Sequence, residues 1–114
     1  MANIYLSAKK DLTTNTVTTL YTVPSNTRAI VISLLISGDN GSTTTITVDL
    51  LDGDPASANK FTLFNVASIA GNASTQLLTE PLIMLENEVL QVTAADANRL
   101  FATASILEIN REDR

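Results

Sequence analysis

Histidine, cysteine and tryptophan are absent from this chain. Without His or Cys, neither a Ser-His nor a Cys-His nucleophilic couple can be assembled, and His/Cys zinc sites are excluded with them. Disulfides and thiolate chemistry fall away for the same reason, so the composition says nothing about the redox compartment. Charge is scarce as well: Asp, Glu, Lys and Arg make up 17% of the 114 residues, against about 25% in ordinary soluble domains. The formal net charge is −5 and the few Lys and Arg are scattered. That leaves no basic stripe to neutralise phosphates, and nucleic acid is not an expected partner. Neither GxxxxGKS/T nor GxGxxG occurs, so no phosphate-cradling loop is visible. The most apolar stretch, Ala29 to Ile36, is strand-sized rather than membrane-spanning. The opening ten residues lack the long apolar core of a signal peptide. A soluble protein made in the cytoplasm, with no membrane partner, is expected.

Hydrophobic residues account for 45% of the chain, enough for a globular core. Thr, Ser and Asn replace much of the usual charge, hydrogen-bonding without the desolvation cost of a buried ion. Strand signals recur about every ten residues, separated by Gly, Asn, Asp and Pro, a rhythm that predicts an antiparallel sandwich or barrel. The expected architecture is all-β: one antiparallel β-sandwich over 1–114, of about eight short strands. Residues 1–10 serve as an N-terminal arm or first strand (4–8), and 110–114 form a charged C-terminal tail.

Further strands are expected at 16–23, 28–37, 43–51, 60–67, 88–94 and 99–109. Two short edge segments, 76–79 and 82–85, flank Glu80-Pro81, since proline cannot donate to a ladder. A bulge is expected where the apolar register shifts between Leu63 and Phe64. Asn40-Gly41 predicts a tight hairpin joining 28–37 to 43–51, because both residues tolerate positive φ. In the second of these strands Ile46, Val48 and Leu50 point inward, with Thr45, Thr47 and Asp49 outward. Asn40-Gly41-Ser42 and Asn72-Ala73-Ser74 match the glycosylation acceptor pattern and are read as turns. No segment carries a sustained helical apolar stripe.

The side chains that could carry chemistry are few. Asp49, Asp52 and Asp54, with Asp39 from a neighbouring loop, have the alternate-carboxylate spacing of hard-cation sites. Asp-Gly-Asp-Pro is equally ordinary turn chemistry, and that reading is preferred. Glu86 and Glu88 could pair for glycoside chemistry, but their setting around Asn87 is that of solvated loop charges. Tyr5, Tyr21, Phe61, Phe64 and Phe101 are too dispersed for a sugar-stacking platform and read as core or interface anchors. No catalytic residue, metal or cofactor is expected.

The informative feature is apolar character on both faces of 28–37 and 99–109. Strict alternation puts Ile30, Ile32, Leu34 and Ile36 on one face, and Ala29, Val31, Ser33 and Leu35 on the other. One face fills the sandwich. The second must meet solvent, the protein's own loops or another subunit. Val31 and Leu35 are on this basis the candidate interface residues.

Leu20-Tyr21-Thr22-Val23-Pro24-Ser25-Asn26-Thr27-Arg28-Ala29-Ile30-Val31, running into Ser33-Leu34-Leu35-Ile36-Ser37, resembles the opening of small β-sandwich virion proteins of tailed bacteriophages. Leu77-Leu78 with Pro81–Leu85, then Glu88–Ala94, and the closing Ala104–Ile109 are similar to the same pattern, which spans residues 17–109. The first ten residues and the Asp52–Asp54 loop have no counterpart in it. The resemblance implies a jelly-roll-like, non-enzymatic virion component. Foremost among its roles is a capsid decoration (cement) protein stabilising the head, with tail, baseplate or fibre association as the alternative. A carbohydrate-binding sandwich is a third reading, from the fold class alone. The resemblance further implies a homo-oligomer, a trimer first, that contacts the major capsid protein or other virion proteins.

Overall fold

The computed structural model describes residues 3–38, 41, 43–52 and 59–110. They contain nine strands and no helix: β1 (Asn3–Leu12), β2 (Thr18–Thr22), β3 (Thr27–Gly38), β4 (Thr44–Leu51), β5 (Lys60–Ile69), β6 (Ser74–Gln76), β7 (Leu82–Met84), β8 (Val89–Ala94) and β9 (Leu100–Asn110). The pairing is nested. β1 pairs β9, β2 pairs β8, β3 pairs β6 and β7, and β4 pairs β5, all antiparallel. The first half of the chain thus runs back along the second as one long ribbon. Wrapping that ribbon adds the β3–β9 and β4–β8 pairings. Two sheets result, β1-β9-β3-β6 with β7 on the same flank of β3, and β2-β8-β4-β5. This is the strand order of a jelly-roll sandwich, and the all-β sandwich expected from the sequence is the fold observed.

The core between the sheets draws on both. Ala29, Val31, Leu34, Ile36, Met84, Leu100, Ala102, Ala104 and Ile106 come from the first sheet, and Ile46, Val48, Ile69, Leu90, Val92 and Ala94 from the second. Burying a Val, Leu or Ile side chain contributes about 1.5–3 kcal/mol, so this layer is the main stabilising term. Tyr21 of β2 reaches across the gap and donates its hydroxyl to the Glu108 carboxylate of β9, a cross-sheet bond at one end of the sandwich.

Turns are built from asparagine. Asn26, Asn72, Asn87 and Asn98 all take positive φ, while no glycine among the described residues does. Asn is the L-residue most tolerant of that region. Val66 (φ 55°) also lies there, within a β5 bulge that sets Asn65 and Val66 opposite Thr47 alone. A second bulge leaves Leu63 unpaired between Phe64 and Thr62, beside the expected register shift.

Two expectations are corrected. β3 and β4 do not form a hairpin: they lie in different sheets. Asn40 itself lies outside the described residues, and Gly41 does not adopt positive φ. An Asn-Gly pair favours a hairpin only when the flanking strands are each other's best partners. Here β9 pairs β3 over eleven positions and β5 and β8 take β4. Asp49 points outward from β4 as expected, between Gln91 and Thr62, but it is buried there and accepts a hydrogen bond from the Thr62 hydroxyl at 2.8 Å.

The second correction concerns β3. Val31 pairs Ile106 and Ser33 pairs Ser105, so Ile32 is an extra residue that reverses the alternation. Ala29 and Val31 point inward before it, Leu34 and Ile36 after it. Val31 and Leu35 therefore do not share a face.

Candidate functional site

With Val31 in the core at 0% exposure and Leu35 outside at 37%, the candidate surface has to be rebuilt from the register. Leu107 of β9 is paired with Tyr5 of β1 on one side and Ile30 of β3 on the other, and Ile30 is paired in turn with Ile83 of β7. Register partners share a face. Tyr5, Leu107, Ile30 and Ile83 thus form one apolar row across the full width of the first sheet, on its outer side. The two ends are open, Tyr5 at 76% and Ile83 at 65%, while Leu107 and Ile30 are half-buried. Ile32, displaced outward by the bulge, and Leu85 extend the patch.

The next row along the strands is Ser7, Ser105 and Ser33. Their small side chains leave a concavity of about 530 Å³ lined by Tyr5, Leu6, Ser7, Ile32, Ser105 and Ile106. Of the charged residues of this face, Arg28 beside Ile109 lies in the adjacent row toward one end, and Lys9 and Asp11 of β1 lie two and three rows away toward the other.

The outer side of the second sheet is different. Its rows read Thr19, Gln91, Asp49, Thr62, then Thr93, Thr47, and toward one end Thr22, Val89, Leu51, Lys60, where the half-buried apolar pair is flanked by Thr and Lys. Two of those side chains bond each other, the Thr62 hydroxyl donating to the Asp49 carboxylate. The sheet edges are also protected. β1 carries exposed Lys9, Lys10 and Asp11, the β6/β7 edge is interrupted around Pro81, β2 is five residues long, and β5 is bulged twice. Charges, prolines, short strands and bulges are the devices that discourage strand addition. What stays undefended is the row of the first sheet, whose ends are the exposed apolar side chains of Tyr5 and Ile83.

The other residues singled out from the sequence have structural duties. Glu86 accepts a hydrogen bond from the Asn26 backbone N–H at 3.1 Å and Glu88 from the Leu85 N–H at 2.8 Å. Together with the Val23–Glu88 and Asn87–Val23 backbone bonds, they tie the β2–β3 loop to the turn before β8. Asp52 accepts from the Asn59 side-chain amide at 3.1 Å. Asp54 and Asp39 lie outside the described residues. Among the described residues no three acidic groups gather as a metal site. The phenol of Tyr21 is held well above its ordinary pKa, first by burial and then by the Glu108 carboxylate it donates to. The remaining aromatics are dispersed: Phe61 is exposed on the β5 edge, Phe64 packs against the core, and Phe101 is half-buried on β9.

Sequence reasoning identified the two-faced strands but missed Tyr5, Ile83 and Leu107 as a set. Each is an ordinary apolar residue in its own segment. Only pairing across about a hundred residues of chain brings Tyr5 beside Leu107.

No family model matches this chain, and no curated protein does. Solved structures do. A chain in the structure of infectious bursal disease virus Gx strain superposes with a TM-score of 0.54 at 8% identity, over 97% of this chain and 30% of that one. A chain in the structure of the Gt strain of the same virus gives 0.52 at 7% identity, over 100% and 32%. This chain spans about a third of the length of either, and at such identity the likeness is one of fold.

Proposed function

We propose that this chain is a non-enzymatic structural protein of a virion, and most specifically a capsid decoration (cement) protein of a tailed bacteriophage. The observation that carries the proposal is the undefended apolar row on the outside of the first sheet. A sandwich with an exposed apolar row across one outer face, protected at its edges, is built to be covered by protein. The jelly-roll likeness to chains of a virus and the resemblance of residues 17–109 to phage virion proteins support the same reading. A cement protein acts by adding buried interface at the junctions of the major capsid protein, so that internal pressure must separate more contact before the shell opens. Rigid β packing suits that task, because a stiff domain transmits load without unfolding. It would be made in the host cytoplasm and function in the particle.

Gold labelling of intact particles with an antibody against the chain tests the location, and thermal rupture of heads with and without the protein tests the role. Label at regular sites over the head, with rupture at a higher temperature when the protein is present, is the expected result. Label confined to the tail would replace the decoration reading with the tail or fibre one, and absence of label from particles would overturn both.

A further inference from the structure

We propose that the apolar face of the first sheet is covered by a second copy of this chain, stacked face to face about a two-fold axis parallel to the strands. The inference rests on reading that face as an assembly surface, and is independent of where in a particle the protein sits.

Three features favour a second copy. The first is the symmetry of the row itself. Its ends are the exposed side chains Tyr5 and Ile83, and its middle is the half-buried pair Leu107 and Ile30. A two-fold axis between β9 and β3 sets β1 over the other copy's β7 and β9 over its β3. Tyr5 then meets Ile83 of the second copy and Leu107 meets its Ile30, each contact made twice, which is the reciprocity an isologous interface requires. The bulged Ile32 faces the Ser105 row of the other copy, where the serine-floored concavity has room for it.

The second feature is charge. In this arrangement Lys9 falls over Gln76, Arg28 over Ile109, and Asp11 over Ser74, following the rows that the register defines. The two Lys9 and the two Asp11 stay far apart on the outermost strands, and only the two Arg28, on the strands beside the axis, come near each other.

The third is size. Four strands about 4.8 Å apart and eleven residues at about 3.4 Å each give a face of roughly 700 Å², close to the ~800 Å² per partner of a stable interface. Sheets stacked this way repeat the geometry already used inside the sandwich, about 10 Å apart and aligned to within about 30°.

The test is sedimentation equilibrium on the full chain and three variants, with circular dichroism confirming the fold of each. Tyr5 and Ile83 are largely exposed, so charge there leaves the monomer core intact. Wild type is expected as a dimer. Tyr5→Lys alone places two lysines against two isoleucines and Ile83→Glu alone two glutamates against two tyrosines. Each should weaken the dimer by at least about 100-fold, the scale of a lost hot spot. The double variant Tyr5→Lys/Ile83→Glu should recover most of that loss. Within one copy the two positions lie three strand spacings apart, about 14 Å, too far to pair, so recovery can only come from a lysine meeting a glutamate across the axis. A monomeric wild type at millimolar concentration, a trimer such as the phage resemblance implies, or single variants that stay dimeric would each overturn the proposal. So would a double variant that fails to recover. A monomer that nevertheless binds phage heads would sink the self-pairing while sparing the virion role, and a dimer that binds no particle would do the reverse.

Discussion

Truncating Val31 and Leu35 to alanine, one at a time, separates a strand with unbroken alternation from one reversed at Ile32. Val31 is fully buried between Ile106 and Leu82, its register partners in β9 and β7. Removing its two methyl groups loses about 1.6 kcal/mol of transfer free energy. The cavity left in a close-packed layer raises the cost to about 2–3 kcal/mol. Leu35 is 37% exposed on the outer face, where truncation leaves no enclosed void. Although leucine loses more atoms, its cost should stay below about 1 kcal/mol. For a chain of this length each kcal/mol moves the melting temperature by about 3–6 °C. Val31→Ala should therefore melt about 10 °C below wild type and Leu35→Ala within a few degrees of it. The assay is thermal and urea unfolding followed by circular dichroism, run at two protein concentrations so that any contribution from association shows as a concentration-dependent midpoint. With unbroken alternation both side chains would lie on one face and the larger truncation would cost more. A Leu35→Ala variant as destabilised as Val31→Ala, or more so, would refute the bulge.

Tyr21→Phe removes the only donor shown to join the two sheets through side chains among the described residues, and should cost about 1 kcal/mol in urea unfolding, since the Glu108 carboxylate it serves is partly solvated. The raised pKa of Tyr21 has a defined sign. Its contribution is complete below the unfolded-state value of 10.0 and is lost as pH climbs from there through the higher folded value. Wild type should therefore lose stability above pH 10 more steeply than Tyr21→Phe, and parallel profiles would show that the cross-sheet bond is not made. Val66→Asn should stabilise the chain by about 1 kcal/mol in the same assay, because a β-branched residue at φ 55° is strained where asparagine is not. Asp96→Ala should cost about 1–2 kcal/mol. It strands the buried Thr44 hydroxyl that donates to Asp96 and removes the Arg99 ion pair at 3.6 Å. Thr44→Val in the Asp96→Ala background should then add little, and a full second penalty would show that the two do not act together.

The local chemistry of the strands and turns was legible in the sequence. Alternation in β4, the proline between β6 and β7, the shift at Leu63–Phe64 and the asparagine turns at 72 and 87 all depend on neighbouring residues, and all lie where they were expected to within a few positions. So did the apolar character of both faces of β3 and β9, which is a count along a single strand. Three things depended on partners far away in the chain. Asn-Gly suggests a hairpin, but β3 and β4 part company because nested pairing with β9, β5 and β8 satisfies more backbone than pairing with each other. The bulge at Ile32 arises from fitting β3 to β9, and it alone decides that Val31 is core while Ile32 faces out. The row of Tyr5, Leu107, Ile30 and Ile83 exists only once strands from both ends of the chain lie side by side. Side-chain alternation is a property of one strand, whereas register is a property of two, and a single extra residue moves every side chain beyond it to the opposite face.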